Sequence, residues 1–200
     1  HVMTMTLTAP QVPGFFDVPI ATLTARPCFE QHFRNQDLRD TVVVSPDAGR
    51  ARSATRFAER LGLPVIVGAK TRISDSEVRL APFAVDLSGW RRAIIYDDEI
   101  AAGTSIAAMV EHLAGYGIRE ARAVCTHGIF SGRALERLSA LPQLAEIIAT
   151  DTIYTPPERR VPKLRIVPVA PLFGEAIRRN ALGQSIGDLF AFWEDFRAED

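Results

Sequence analysis

The sequence predicts an α/β fold, a three-layer arrangement with one parallel sheet and helices on both faces. Three observations carry that reading. Short runs rich in β-branched residues, Thr41–Val44 and Ala93–Tyr96 foremost, are apolar throughout and do not alternate, as strands covered on both faces are. Segments of helical period separate them. Strands also end in loops of small residues that lead into helices: Ser45-Pro46-Asp47-Ala48-Gly49 after one, Ala101-Ala102-Gly103-Thr104-Ser105 after another. In an open parallel sheet the loops at the carboxyl ends of strands face one crevice, so Asp47 and Asp97 are expected to look into a single site.

Taken in order, Met3–Thr8 alternates Thr with Met and Leu like a strand. No cap or turn precedes it, and the chain is expected to start inside a larger domain. Gly14–Pro19 is a turn whose Phe15 and Phe16 are expected to be buried anchors. Ala21–Asn35 reads as a helix, Thr41–Val44 as a strand and Arg50–Leu61 as an Arg-rich helix. Pro64–Gly68 is a short strand. Lys70-Thr71-Arg72 opens an irregular stretch that continues through the polar segment Ile73–Val78. Two cations one residue apart there fit a solvated loop, or a mobile loop over a phosphate crevice. Arg79–Val85 reads as a strand, and Leu87–Trp90 as the turn into the central strand.

Past that strand, Ile106–Tyr116 is an amphipathic helix ended by Gly117. Glu120–Cys125 is a strand, Thr126–Gly132 a loop in which His127 reads as structural, and Arg133–Leu138 a helix. Ala145–Thr150 is a strand, Asp151–Pro162 a Pro-rich linker, Leu164–Val169 a strand and Phe173–Ala181 a helix. Ser185–Phe190 makes a final helical turn ahead of a polar tail.

Composition bounds the partners. With 23 basic and 24 acidic residues in 200, the net charge is −1, which gives no electrostatic reason to propose nucleic acid or a membrane surface. No apolar run approaches bilayer length and no signal peptide is visible. Cys28 and Cys125 lie far apart in apolar contexts and read as reduced thiols of a cytoplasmic protein. The four His residues show no ligand spacing.

The chemistry concentrates in Arg91–Ile106. A strand leads to the paired carboxylates Asp97 and Asp98, then to a small-residue loop, then to a helix N-terminus. Backbone N–H groups and the helix dipole at such a loop favour a phosphate. The carboxylates can hold sugar hydroxyls or a hydrated Mg²⁺. An ordinary βα turn with Asp at the strand end has the same spacing, and Asp47 also suits a helix N-cap.

Seven motifs in sequence order resemble the phosphoribosyl pyrophosphate synthetases (ribose-phosphate pyrophosphokinases). They are GFFDVP at Gly14–Pro19, VVVSPDAG at Val42–Gly49, Lys70-x-Arg72, IIYDDEI at Ile94–Ile100, THGIFSG at Thr126–Gly132, ATDTI at Ala149–Ile153, and VAPLFGEAIRRN with GQSIGDLF toward the end. The resemblance implies a phosphoribosyltransferase-like fold and transfer of a pyrophosphoryl group from MgATP to ribose 5-phosphate. It implies that Ala101, Ala102, Gly103, Thr104 and Ser105 hold the 5-phosphate and that Asp97 and Asp98 bind the ribose hydroxyls. Ser45, Asp47, Ala48, Gly49 and Arg52 would form the pyrophosphate loop, with Asp47 meeting Mg²⁺, and Lys70 and Arg72 would stabilise the transferring group. A homo-oligomer is expected on any reading, since the GFFDVP turn is apolar and short and a chain that begins inside a domain should expose core surface. The resemblance also implies three regions. Residues 1–20 would be the remnant of an ATP-binding domain, 21–160 the ribose-5-phosphate domain, and 161–200 elements that pack on the N-terminal domain.

Three departures from the family pattern point to weakened turnover. The chain is shorter than the family's, and of the N-terminal domain that supplies most ATP contacts only the last strand, at Thr4–Gln11, is expected to remain. Thr6 and Thr8 stand where the family carries an acid and a His. Ala101 and Ala102 stand where its phosphate loop carries a carboxylate and a hydroxyl. A catalytically weak or inactive partner subunit that binds ribose phosphates or nucleotides is therefore the second expectation. A phosphoribosyltransferase, which shares the acidic-pair loop, is the third.

Overall fold

The computed structural model describes residues 1–72 and 78–189. The chain opens with β1 (Val2–Met5) and β2 (Ile20–Leu23), which pair in parallel. It continues through α1 (Arg26–Phe33), β3 (Thr41–Ser45), α2 (Ala51–Leu61) and β4 (Val65–Val67). A small antiparallel pair follows, β5 (Lys70–Arg72) with β6 (Val78–Leu80). The rest alternates β7 (Arg92–Ile100), α3 (Thr104–Gly115), β8 (Glu120–Gly128), α4 (Ala134–Ser139), β9 (Leu144–Thr150), β10 (Leu164–Val167) and α5 (Ala170–Ala181).

Six strands form one parallel sheet in the order β10-β9-β8-β7-β3-β4. The two-residue period of a strand sorts its side chains between two cores. Val42, Val44, Ile95, Ala123 and Ile147 lie on one face with Met109 and Leu113 of α3 and Leu135 and Leu138 of α4. Val43, Ile94, Tyr96, Val124 and Ile148 lie on the other with Phe29 and Phe33 of α1 and Phe57 of α2. Unbroken apolar runs are the consequence, since both faces are dry. Val169 and Ala176 join the second core beside Met5 and Leu23, and the Thr24 amide donates to the Leu189 carbonyl. The C-terminal elements thus close over the N-terminal strands, while β10 itself belongs to the main sheet.

Several expectations are corrected. Ala21–Asn35 is a strand and a shorter helix, because Ile20–Leu23 finds β1 as a partner and Pro27 starts α1 in its first turn. The irregular stretch at Lys70–Arg72 is β5, paired with β6. The expected strand Arg79–Val85 is limited to Val78–Leu80, with Pro82, which lacks a donor, two residues beyond. The polar segment's residues 73–77 and the tail beyond 189 lie outside the described residues. Phe15 and Phe16 are exposed, at 86% and 43%, because the turn they occupy buries none of its residues. β7 and β8 are longer than expected and carry the strand conformation through Asp97-Asp98 and through His127. Cys125 is buried, Cys28 is half-buried and both are free thiols. Among the described residues no helix is long and apolar enough to cross a membrane.

Candidate functional site

The crevice is built at the carboxyl ends of β3 and β7, neighbouring strands of the sheet. β3 delivers Ser45 fully buried, and its Oγ donates to the Asp47 carbonyl at 2.8 Å, closing the turn before α2. Gly68, past β4, is pressed against this turn. Its amide donates to the Ser45 carbonyl at 2.8 Å, and a Cβ there would stand 3.0 Å from the Pro46 carbonyl oxygen. Asp47 is extended and half-buried, and a short 3-10 turn, Ala48–Arg50, leads into α2.

β7 brings Asp97 and Asp98 to the same place with 8% and 6% exposure. Burying two carboxylates is costly unless each is paired. The Asp97 Oδ1 accepts the Asp98 amide at 2.9 Å. Asp98 Oδ2 lies 2.6 Å from Arg50 Nη2, an ion pair whose alignment is not that of a hydrogen bond. Strand alternation sends the two side chains to opposite faces, Asp98 toward Arg50 at the start of α2. Tyr96 lies beneath, stacked on Phe57 with centroids 4.7 Å apart, and its burial pushes the phenol well above its ordinary range. Burial and the neighbouring Asp97 charge push the Cys125 thiol upward as well.

The loop after β7 is anchored by its carbonyls. Ile100 accepts the Phe130 amide at 3.0 Å, Ala101 accepts the Ser131 amide at 3.1 Å, and Ala102 accepts Arg137 Nη1 at 2.5 Å. The first helical bond of α3 runs from the Ala107 amide to the Gly103 carbonyl, so the amides of Thr104, Ser105 and Ile106 have no partner within the helix. Gly103 is left-handed at φ +74°, and a Cβ would meet Leu138 at 3.2 Å. With carbonyls turned toward α4 and amides left over at a helix N-terminus, the loop has the polarity an anion needs.

Two cavities meet at the acidic pair. One, about 440 Å³, is lined by Thr6–Thr8, Thr24, Arg52, Arg56 and Tyr96. The other, about 400 Å³, is lined by Glu99 to Ile106 and Ser131. Thr8, Asp47, Arg50, Asp97 and Asp98 line both. All the loop residues expected in the site border one cavity or the other except Ser45 and Ala48, which only shape the turn. Lys70 and Arg72 stand in β5, and their side chains lie outside the described residues.

Sequence reading missed Arg50, Arg56 and Arg137. Arg56 was legible as the residue one helical turn after Arg52. The contacts of Arg50 and Arg137 depend on tertiary approach and have no local signal. His127 has a structural part. It donates from Nε2 to the Thr6 carbonyl at 2.9 Å, and its Nδ1 lies 2.9 Å from the Thr152 hydroxyl. It thereby holds Thr6, at φ +46°, where the segment turns into the crevice.

Among the described residues no three His, Cys, Asp or Glu side chains converge as on a metal ion. Mg²⁺ commonly takes one or two carboxylates and completes its shell with water and substrate phosphate. Asp47, half-buried and on both cavities, fits that limited role. Asp98, with its outer oxygen against a guanidinium and sealed from solvent, does not.

Residues 73–191 match the phosphoribosyl synthetase-associated domain. A Streptomyces coelicolor homologue assigned as a ribose-phosphate pyrophosphokinase is 43% identical over 190 residues, covering 95% of this chain and 60% of its own. The Clostridium acetobutylicum ribose-phosphate pyrophosphokinase is 39% identical over 192 residues, with the same coverage of each chain. The crystal structure of phosphoribosylpyrophosphate synthetase from Mycobacterium smegmatis superposes with a TM-score of 0.79 at 32% identity, over 90% of this chain and 58% of that one. The chain thus spans about 60% of the length of the relatives it matches.

Proposed function

Because the chain belongs to the phosphoribosyl synthetase-associated domain family, we propose that its crevice is the pentose-phosphate side of a ribose-phosphate pyrophosphokinase site. Ribose 5-phosphate occupies the smaller cavity. Its phosphate rests on the amides and hydroxyls of Gly103–Ser105, and its ring hydroxyls donate to Asp97, while Asp98, paired with Arg50, fixes the wall beside them. The phosphates of ATP enter the larger cavity, against Arg52 and the Asp47–Gly49 loop. The anomeric hydroxyl oxygen then attacks the β-phosphorus, the bond from that phosphorus to the α-phosphate bridging oxygen breaks, AMP leaves, and the hydroxyl proton passes to solvent. Such a transfer asks the protein for positioning and charge and for little covalent chemistry. Lys70 and Arg72 are the cations assigned to the transferring group. Mg²⁺, when bound with the nucleotide at Asp47, supplies charge neutralisation on the phosphates.

One observation carries the reading: an anion-ready loop and an Arg-lined cavity share a single wall of carboxylates. We assign the 1–20 and 21–160 regions the roles the sequence suggested and give the packing role of 161–200 to α5 and the turn after it, with β10 counted in the main sheet; we assign the protein to the cytoplasm and expect it to act as a homo-oligomer in nucleotide biosynthesis, with exposed Phe15 and Phe16 at the interface. The replacements Ala101 and Ala102 and the Arg50–Asp98 pair favour a second reading, a binding subunit with little turnover. Calorimetric titration with ribose 5-phosphate in the presence of Mg²⁺ tests the site. Saturable binding that Asp97→Asn weakens is expected, and absence of binding overturns the assignment. AMP formation that depends on both substrates separates enzyme from binding subunit.

A further inference from the structure

We propose that Arg50 is the resident counter-cation of the acidic pair, holding at Asp98 the place a divalent ion would take, so that pentose-phosphate binding in the smaller cavity needs no metal. The inference rests on the reading of that cavity given above. A single nitrogen, Arg50 Nη2, lies 2.6 Å from Asp98 Oδ2 and donates to the Thr8 carbonyl at 3.4 Å. The guanidinium therefore spans the crevice from the tip of β7 to the N-terminal segment, at the wall the two cavities share. The carboxylate is 7% exposed and its Oδ2 is sealed from solvent, so a hydrated ion reaches that oxygen only if Arg50 withdraws.

Chemistry agrees with the placement. A buried carboxylate beside a second one demands a positive partner. A guanidinium fills that need with a resident cation and a rigid fork of donors. Asp98 stays paired and fixed whether or not Mg²⁺ is present, and Asp97, on the other strand face, lines both cavities and meets the sugar. Asp47 lines both cavities and is the carboxylate assigned to a metal carried by nucleotide phosphates. The site then separates two roles: Arg50 serves the pentose phosphate and Mg²⁺ serves the nucleotide.

The test uses the intact chain and two probes. Ribose 5-phosphate is titrated by calorimetry with Mg²⁺ and with EDTA, and Mn²⁺ binding is followed by electron paramagnetic resonance. The parent protein is expected to bind ribose 5-phosphate with affinities within about twofold in the two buffers. In Arg50→Ala the affinity in EDTA should fall by about tenfold and recover with Mg²⁺, as expected for one lost charged partner. Mn²⁺ should bind Arg50→Ala about tenfold more tightly than the parent, and Asp98→Asn added to that variant should abolish the gain. Arg50→Lys should restore metal independence, and Arg50→Gln, which keeps the side chain's bulk, repeats the measurement should the alanine variant melt early. A parent whose ribose 5-phosphate binding disappears in EDTA, or whose Mn²⁺ affinity equals that of Arg50→Ala, overturns the proposal. If no protein binds ribose 5-phosphate, the pentose-phosphate reading fails, while the Mn²⁺ comparison still decides whether Arg50 holds the cation position.

Discussion

Gly103→Ala tests the phosphate loop through its backbone alone. Gly103 caps α3 in the left-handed region at φ +74°, where an L side chain costs about 1–2 kcal/mol. The new Cβ would stand 3.2 Å from Cγ and Cδ1 of Leu138, which is fully buried between α4 and the sheet and cannot swing into solvent. Shifting it adds about 1 kcal/mol of overpacking. The sum is about 2–3 kcal/mol, which for a domain of this size lowers Tm by roughly 4–12 °C. Gly62→Ala is the internal control. Its φ is +66° but nothing lies within 4 Å of the added methyl, so it should lose only about 1–2 kcal/mol. Urea denaturation of the two variants measures the difference. Calorimetry with ribose 5-phosphate measures the function, and Gly103→Ala should bind about tenfold more weakly because relief of the contact displaces the Thr104 and Ser105 amides. The reasoning fails if the two variants lose equal stability, or if Gly103→Ala binds the sugar phosphate as well as its parent.

Four further outcomes are expected. Asp97→Asn should leave the fold intact and weaken ribose 5-phosphate by about tenfold or more, since a carboxylate acceptor contributes roughly 1.5–3 kcal/mol, and unchanged calorimetric affinity would exclude Asp97 from the site. Stability should hold below pH 9 and decline above it. Tyr96 and Cys125 have folded pKa values raised by burial, so their contribution is complete below the ordinary thiol value of 9.0 and is lost as the pH rises toward the folded values; urea midpoints measured across that range check it. On the acid side Glu146 is held below its ordinary 4.5 by the hydrogen bond to His32, so its contribution is present above 4.5 and lost as pH falls through the lower folded value; His32→Gln should flatten that limb. His127→Leu should leave the sheet folded but free the Thr6 carbonyl, and faster amide exchange at Leu7 and Thr8 than in the parent is the readout.

Apolar runs and small-residue loops made the parallel sheet legible, because burial on both faces removes alternation and the crevice loops must let backbone come close. Local pattern was weaker where a strand needs a distant partner. Ile20–Leu23 carries a helix-compatible pattern into Pro27, and only its pairing with β1, encoded 18 residues earlier, makes it a strand. Lys70–Arg72 is polar enough to pass for a loop, yet its ladder with Val78–Leu80 fixes it as a strand. Phe15 and Phe16 failed for the opposite reason. Aromatic residues are expected to be buried, and among the described residues no element covers that turn.

The acidic pair shows where sequence proximity misleads about chemistry. Asp97-Asp98 reads as one bidentate feature at the mouth of a loop, and such a feature suggests a shared metal. Once β7 is seen to run on to Ile100, the pleat must divide the pair between two faces. Asp98 then falls on the α2 face, within reach of a guanidinium that enters from a different strand-end loop. Asp97 stays with the face that α3 covers, beside the loop that leads into that helix. Two adjacent residues thereby acquire different surroundings, and on the proposed reading different duties, one to fix the crevice wall and one to meet a ligand. The sequence contains every residue of this arrangement, but the division follows from strand length, and strand length is set by the match of β7 to β8 through Glu99 and His127. A ladder that stopped at Tyr96, four residues shorter, would leave the carboxylates in a loop, free to turn the same way, and the case for a metal between them would return.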